Sequence, residues 1–281
     1  MKKHLAGIVP VSGIKTDFNM PWHESLMPIG PNYLAVERAI AECAHAGCDT
    51  IWVVCNDDVT PLIRHQVGEK IQDPVYNYRH FEFNRDEAKK PIRIYYVPLA
   101  IKDINKRDNL AWSGIFGATC ADDILKSLSV HLRPDRFYIC WPYGYYDPTV
   151  VREHRKKIAS ENVALQYEGK SVKDNKYLSF TLTIQQINDL IEESISTSSG
   201  LWSEDRKNRL SLEQRYSYKN YDLKKVFASL DFSEYEFVSL EDYHPLDCWS
   251  GYCQFLSKQI KIKKPKILRY SEWNEIGMND D

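Results

Sequence analysis

The stretch Gly7-Ile8-Val9-Pro10-Val11-Ser12-Gly13-Ile14-Lys15-Thr16-Asp17 decides the fold of this chain. An apolar run of strand length breaks into a loop with a glycine, a lysine and a threonine, and a helical pattern begins near Tyr33. A buried strand, a turn-rich loop and an amphipathic helix in this order build a phosphate site at the carboxyl end of the first strand of many α/β domains. The stretch therefore predicts a loop that binds a ligand after the first strand. The alternative is a tight strand-to-helix connection that binds no ligand.

Strand and helix patterns alternate outward from this stretch. Apolar runs predict strands at residues 4–11, 50–55, 92–97, 136–140, 177–183 and 236–238. Helical spacing predicts helices near residues 33–47, 60–71, 121–128, 184–195 and 249–260. The alternation favours a three-layer α/β/α sandwich with a mostly parallel central sheet. We expect one domain over residues 1–260, including a polar helical insertion at about 196–230, and a polar tail at 261–281.

Composition and charge exclude several classes of protein. The 281 residues, 43% of them apolar, are enough to bury a large core. A net charge of −2, from 37 basic and 39 acidic residues, gives no overall field that would hold nucleic acid or an anionic membrane. No apolar run reaches the roughly 18 residues of a membrane span, and none near the start fits a secretory signal. We expect a cytoplasmic protein whose seven cysteines, which form no C-x-x-C pair, are mostly buried and reduced.

The first loop and the segment after it resemble a two-part signature. Residues 12–17 and the segment His23-Glu24-Ser25-Leu26-Met27-Pro28-Ile29 are similar to G-G-x-G-T-R and P-K-x-L-L-P-I of the sugar-phosphate nucleotidylyltransferases. In that family the loop wraps a triphosphate, and the arginine and the lysine of the two motifs bind phosphate. Asp17 and Glu24 stand at those two cationic positions here. The resemblance implies that nucleotide is bound by Ser12, Gly13, Lys15 and Thr16, with Lys15 supplying the displaced positive charge.

Three later segments are similar to further motifs of the same family. The segment Ala111-Trp112-Ser113-Gly114-Ile115-Phe116 resembles G-T-A-G-A-L, which implies that Gly114 lies against a base or ribose in a cleft shared with the first loop. The family has a magnesium-binding acid after the fourth strand, and the first acid there is Asp147. The segment beginning at Asp247 resembles W-x-D-I-G-T-x-E-D-Y, which implies a second magnesium ligand at Asp247. Capping of the last helix is the other role, and we favour it because helix caps are commoner than metal ligands.

An aromatic loop precedes Asp147. Trp141, Tyr143, Tyr145 and Tyr146 lie within six residues of one another. Rings of this kind stack on a base or a sugar, or they seal the edge of a domain. Sealing is the interpretation that we favour.

The resemblance implies a fold of the nucleotide-diphospho-sugar transferase (GT-A-like) type with a C-terminal extension. It also implies transfer of a nucleoside monophosphate from a nucleoside triphosphate to a sugar phosphate, with Mg²⁺, with Lys15 and Asp247 in catalysis and with release of pyrophosphate. Asp17, Glu24 and Trp141 stand where the family has its charged catalytic residues. One alternative is therefore a binding or assembly protein on an enzyme fold that has lost its activity. A glycosyltransferase that uses a nucleotide sugar is another, although residues 56–58 lie too early for its metal motif. We expect no nucleic-acid or membrane partner and leave a homo-oligomer open.

Overall fold

The computed structural model describes residues 3–13, 22–75, 91–104, 106–198 and 217–265. Its strands are β1 (Leu5–Pro10), β2 (Pro28–Gly30), β3 (Tyr33–Leu34), β4 (Thr50–Val54), β5 (Lys70–Gln72), β6 (Pro91–Val97), β7 (Arg136–Ile139), β8 (Gly144–Tyr145), β9 (Val163–Gln166), β10 (Phe180–Leu182), β11 (Glu236–Ser239) and β12 (His244–Pro245). Its helices are α1 (Ala35–Ala46), α2 (Thr60–Val67), α3 (Leu110–Leu128), α4 (Arg155–Ser160), α5 (Ile184–Ser198), α6 (Leu223–Val226) and α7 (Trp249–Ser257).

Within the described residues, eight strands form a central sheet in the order β11-β9-β10-β7-β1-β4-β6-β5. β1 runs parallel to both β4 and β7, and β4 runs parallel to β6. β10 is antiparallel to both of its neighbours. One buried layer lies between the sheet and the helices α1 and α2, and a second lies between the sheet and α3 and α5. The predicted three-layer sandwich with a mostly parallel sheet is therefore confirmed. None of the described helices combines the length and the apolar composition needed to cross a bilayer.

Glycines end the first two helices. Gly47, with φ 92°, follows α1 in the left-handed conformation, which confirms the predicted end of that helix. The second helix was expected to continue to Ile71, and that expectation is wrong. Gly68, with φ 83°, ends α2 after Val67, and residues 70–72 then pair with β6 in antiparallel orientation.

A fully buried ion pair fixes α1 to the sheet. Arg38 Nη1 lies 2.7 Å from Glu42 Oε2, and neither side chain is exposed. The hydroxyls of Tyr138 and Tyr146 donate to Glu42 Oε1 at 2.6 and 2.7 Å. Arg38 Nη2 also donates to the carbonyl of Trp141 at 2.5 Å. Hydrogen bonds from protein groups therefore replace the water that the two charges lose on burial.

The aromatic loop is part of this core. Trp141, Tyr143 and Tyr146 are buried, whereas Tyr145 is half-buried. Trp141 Nε1 donates to the carbonyl of Leu178 at 3.1 Å, and the Tyr143 hydroxyl donates to the carbonyl of residue 11 at 3.1 Å. The buried rings therefore pack inside the domain; that the loop seals the domain edge stays a prediction.

Buried thiols surround a glycine of the central strand. A Cβ on Gly7 would lie 2.9 Å from the sulfur atoms of Cys43 and Cys48. Burial raises the pKa of the Cys43 thiol well above its ordinary value, and it does the same for Cys140. All seven cysteines are free, and four of them, the fourth being Cys55, are buried. The prediction of buried, reduced thiols is confirmed for these four.

The C-terminal extension is attached to the N-terminal hairpin of β2 and β3. The Tyr252 hydroxyl of α7 donates to the carbonyl of Pro28 at 2.8 Å. Ile262 packs so close to Gly30 that a Cβ on this glycine would lie 3.3 Å away. Lys264 Nζ donates to Oε1 of the buried Glu37 at 2.5 Å. The first residues of the predicted polar tail therefore contact the domain; residues 266–281 lie outside the described part.

Candidate functional site

A cavity of about 390 Å³ opens where the loop after β1 meets the start of α3. It is lined by Gly13, Asn109, Leu110, Ala111, Asn175, Tyr177, Lys219, Asn220, Tyr221, Asp222, Leu223 and Asp247. Ligands of open α/β sheets bind outside the carboxyl ends of the strands, and this cavity lies beyond the carboxyl end of the central strand β1. It brings together three segments that the sequence singled out: the first loop, the start of α3 and the acid before α7.

Gly13 forms the tightest part of the wall. Its φ is +85°, and a Cβ would lie 2.6 Å from the carbonyl carbon of Asn109. Ser12 holds this turn in place. Its buried hydroxyl donates to Asn56 Oδ1 at 2.9 Å, and its carbonyl accepts from Ser113 Oγ at 2.7 Å. The loop therefore brings backbone, rather than the Ser12 side chain, to the cavity.

The amino end of α3 forms the adjacent wall. Asn109 caps the helix, since its Oδ1 accepts from the backbone N–H of Trp112 at 2.8 Å. Its Nδ2 donates to the carbonyl of Tyr218 at 2.7 Å, which joins the helix start to the other side of the cavity. First-turn N–H groups of a helix have no partner within the helix and carry the positive end of its dipole. This wall, at Leu110 and Ala111, favours an anion.

The two acids that line the cavity differ in their partners. Asp222 is committed to structure, because its Oδ1 accepts from the N–H of Lys225 and its Oδ2 accepts from Asn175 Nδ2, both at 2.9 Å. Burial raises the pKa of the Asp247 carboxyl above its ordinary value, and a backbone hydrogen bond, the charge of Lys176 and a hydrogen bond with Cys248 offset only part of that effect. A carboxylate in this position gains from a bound cation.

Asp247 does not cap the last helix. The cap of α7 is residue 248, which makes no side-chain capping bond. The capping role that we favoured for Asp247 from the sequence is therefore wrong by one position.

Asp147 lies elsewhere. Its carboxylate is exposed and accepts from the backbone N–H of Thr149 at 2.9 Å. Its charge acts on the pKa of His45 and Tyr145, which places it beside those residues and not in the cavity wall. The described residues include no group of three or more His, Cys, Asp or Glu side chains that could hold a metal ion. The magnesium pair expected from the sequence is not assembled there, because the turn that begins at Asp147 directs this carboxylate to its own backbone.

Gly114 serves packing. A Cβ on this residue would lie 3.4 Å from Pro10 and from Ile139, and 3.6 Å from Trp141. It lies on the face of α3 that packs against the sheet and is not among the residues that line the cavity. The expectation that Gly114 faces the cleft beside Gly13 is corrected, because the small residue is used to bring helix and sheet together.

The remaining predicted residues lie at or beyond the limits of the described chain. Lys15 and Thr16, with Asp17, fall outside the described residues. Glu24 begins a short 3-10 turn, Glu24–Leu26. Burial, and then the charge of Glu24, raise the pKa of Tyr143, whose hydroxyl bonds to the chain just after β1. Glu24 therefore lies near the carboxyl end of β1.

Several lining residues carry no signal in the sequence. Asn175 adopts φ +61°, and Tyr177 follows it before β10. Lys219 and Tyr221 come from the segment between residues 217 and 222, where no periodic pattern exists. Asn109 is the exception, because an asparagine directly before a helical pattern predicts a cap.

The chain matches no known protein-family model and no curated protein. Two solved structures are similar to it over most of its length. One, assigned as a glucose-1-phosphate thymidylyltransferase from Bacillus anthracis and solved with a sucrose, has a TM-score of 0.54 at 10% identity and covers 92% of this chain and 98% of its own. The other, a nucleoside-diphosphate-sugar pyrophosphorylase from Vibrio cholerae RC9, has a TM-score of 0.50 at 8% identity and covers 89% and 99%. The chain therefore has the nucleotidyltransferase fold.

Proposed function

We propose that this chain binds a nucleoside triphosphate in the cavity and transfers the nucleoside monophosphate to a sugar phosphate. The observation that carries the proposal is the meeting of Gly13, the start of α3 and Asp247 around one cavity at the carboxyl end of β1. The shared fold with a thymidylyltransferase-like protein and a pyrophosphorylase supports the same reaction class. A fold by itself hosts many reactions, so the site carries the argument.

The proposed mechanism depends on positioning and on charge. Backbone donors at Gly13 and at the start of α3 would hold phosphate oxygens. Lys219 supplies a cation from the opposite wall, and Lys15 is proposed to supply a second. An oxygen of the sugar phosphate attacks the α-phosphorus, a new P–O bond forms, and the bond to pyrophosphate breaks with its electron pair on the leaving oxygen.

Asp247 is the residue that would hold Mg²⁺. Magnesium is commonly bound by one or two carboxylates together with substrate phosphates, so a single available acid in the cavity fits this donor set. Its raised pKa agrees with this role, because partial burial leaves the carboxylate short of stabilisation that a bound cation would supply. When bound, the ion would neutralise phosphate charge.

The test is nucleotide binding, followed by turnover. Calorimetry with a panel of nucleoside triphosphates, with and without magnesium, should detect binding to the unmodified chain. Lys219→Ala and Lys15→Ala should each weaken binding roughly tenfold to a hundredfold, the effect of losing a charged hydrogen bond. Asp247→Asn should remove the magnesium-dependent part. Lys126→Ala, at an exposed position near the far end of α3, is the matched control and should bind normally.

Turnover separates the enzyme from the alternatives. Pyrophosphate release with a panel of sugar phosphates would support the transferase. The absence of both nucleotide binding and pyrophosphate release across the panels would overturn the proposal.

A binding or assembly protein on a retired scaffold is the second candidate. Two observations favour it: Asp147 is exposed outside the cavity, and the Asp222 carboxylate is engaged by hydrogen bonds within the fold. Among the described lining residues, these leave Asp247 as the acid that could bind a metal ion. This candidate predicts nucleotide binding that is insensitive to Asp247→Asn, without pyrophosphate release.

A glycosyltransferase finds less support. Asn56 is engaged by Ser12, and the residues that follow it, Asp57 and Asp58, are exposed beyond β4. Tighter binding of nucleotide sugars than of triphosphates, with transfer of the sugar, would favour it over the nucleotidyltransferase.

A further inference from the structure

A second cavity, of about 640 Å³, lies beside the edge strand β11, on the face of the sheet that α3 and α5 cover. Lys173 and Lys224 line it, and none of its described lining residues is acidic. It shares no lining residue with the cavity beyond β1. Its apolar lining consists of Phe227, Leu230, Phe232 and Phe237. We refer to this second cavity as the edge cavity.

The apolar part of the edge cavity rests on the core. Phe227 is buried, with its ring centroid 5.0 Å from that of Phe180, and the ring of Phe232 lies 6.4 Å from the same partner. Phe232 and Phe237 are only half-buried, so each leaves apolar surface in contact with water. An apolar ligand bound here would remove that surface from water, which is the main source of favourable free energy in such binding.

Two lysines border this apolar part. Lys173 belongs to the 3-10 turn Val172–Asp174, and its Nζ lies 5.7 Å from the ring centroid of Phe237. Lys224 belongs to α6, where its backbone N–H donates to Asn175 Oδ1 at 2.7 Å. Both lysines are exposed, and neither belongs to an ion pair between residues that the structure describes.

The aspartates of the same segments are used by the backbone. The carboxylate of Asp174 accepts from the N–H of Ser171 at 3.0 Å. Asp222 accepts from the N–H of Lys225, and Asp231 accepts from that of the residue two positions later, both at 2.9 Å. These carboxylates therefore cap their own turns, and none of them is among the described residues that line the edge cavity. That lining carries a net positive charge.

We propose that the edge cavity binds a small carboxylic acid with a hydrocarbon body, of the class of a medium-chain fatty acid. The hydrocarbon lies against the phenylalanine rings, and the carboxylate stays at the border, where the ammonium groups of Lys173 and Lys224 meet it in water. The volume falls within the roughly 300–1,000 Å³ of small-molecule sites. The proposal does not rest on nucleotide binding at the first cavity.

Calorimetry with octanoate tests the proposal, with 1-octanol as a ligand of the same chain length without charge. Octanoate should bind to the unmodified chain. The double variant Lys173→Glu, Lys224→Glu should weaken octanoate binding roughly tenfold to a hundredfold, because two attractions become repulsions. Its affinity for 1-octanol should change less than about twofold, since the apolar lining is untouched. The double variant Lys126→Glu, Lys156→Glu makes the same change of net charge at exposed positions outside the edge cavity and should bind octanoate normally.

A second variant fills the edge cavity. Ala228 lines it and is exposed, so Ala228→Trp should abolish the binding of both ligands and leave the melting temperature almost unchanged. Lys126→Trp, which adds the same ring elsewhere on the surface, should bind both. Absence of octanoate binding to the unmodified chain would overturn the proposal. Octanoate binding that survives Ala228→Trp would do the same, as would equal weakening of octanoate and 1-octanol in the Lys173, Lys224 double variant.

Discussion

Gly13 and Gly68 both have a positive φ but differ in their surroundings. Their φ angles are +85° and +83°, and a Cβ would meet the backbone of Asn109 at 2.6 Å at the first position and nothing within 4 Å at the second. A non-glycine residue held at such a positive φ is strained by roughly 1–3 kcal/mol, and Gly68, with ψ −164°, lies in a region that essentially only glycine adopts. The contact with Asn109 adds a displacement of the cap of α3.

Gly68→Ala should therefore lower the free energy of unfolding by about 1–3 kcal/mol, and Gly13→Ala should lower it further, by about 3 kcal/mol or more, because it adds the clash with Asn109. Urea unfolding of the two variants measures the difference. Gly13→Ala should also weaken triphosphate binding, because the displaced Asn109 backbone forms part of the cavity wall. Equal losses of stability would show that the close approach to Asn109 has no energetic weight.

His45 makes stability depend on pH. Burial, and then the charge of Arg152, lower its pKa from 6.5 to about 4. The unfolded chain takes up a proton near pH 6.5 and the folded chain only near pH 4, so stability is full above pH 6.5 and falls as the pH drops through this window. Between pH 8 and pH 5 the expected loss is about 2 kcal/mol. His45→Gln should remove this part of the pH dependence, and His65→Gln, at an exposed position, should not. Parallel pH curves for all three proteins would contradict the assignment.

At the scale of elements, the sequence predicted the strands and helices that contain a long periodic pattern of apolar residues. The strand expected at residues 4–11 is observed at Leu5–Pro10, and the helix expected at 184–195 is observed at Ile184–Ser198. The elements that were missed are short. β3, β8 and β12 have two residues each, too few to show a period, and their pairing depends on contacts distant in sequence.

The junction between the C-terminal extension and α1 can be tested by one substitution. Glu37 is fully buried, and its carboxylate accepts from the N–H of Leu34 at 2.8 Å and from Lys264. Lys264→Met should lower the free energy of unfolding by about 3 kcal/mol, because it leaves a buried carboxylate without its cation. Lys263→Met, at the exposed neighbour, should stay within about 0.5 kcal/mol of the unmodified chain in urea unfolding. Similar losses in both variants would show that this ion pair does not hold the extension.

At the scale of the whole molecule, the site was predictable where it follows from topology. Gly13 lies just after the central strand, and parallel strands end at one edge of the sheet, so the order of segments alone placed it beside the cavity. The start of α3 and Asp247 also reached the cavity wall. Asp147 did not, because a local turn sets the direction of its side chain. Tyr177 and Lys219 were missed because they come from irregular segments whose positions are set by packing.

The buried thiols of the central layer allow the opening of the fold to be measured by the rate of their chemical labelling. A thiol reagent reacts at once with the exposed Cys253, but it reaches Cys43, Cys48 and Cys140 only when α1 separates from the sheet. Their labelling rate under native conditions therefore reports the opening of the central layer. Gly7→Ala, which crowds the sulfur atoms of Cys43 and Cys48, should accelerate that labelling by a factor of about 5–30 for each one or two kcal/mol of lost stability, while the rate at Cys253 stays unchanged. Uniform labelling of all seven cysteines would show that solvent enters this layer without any opening of the fold.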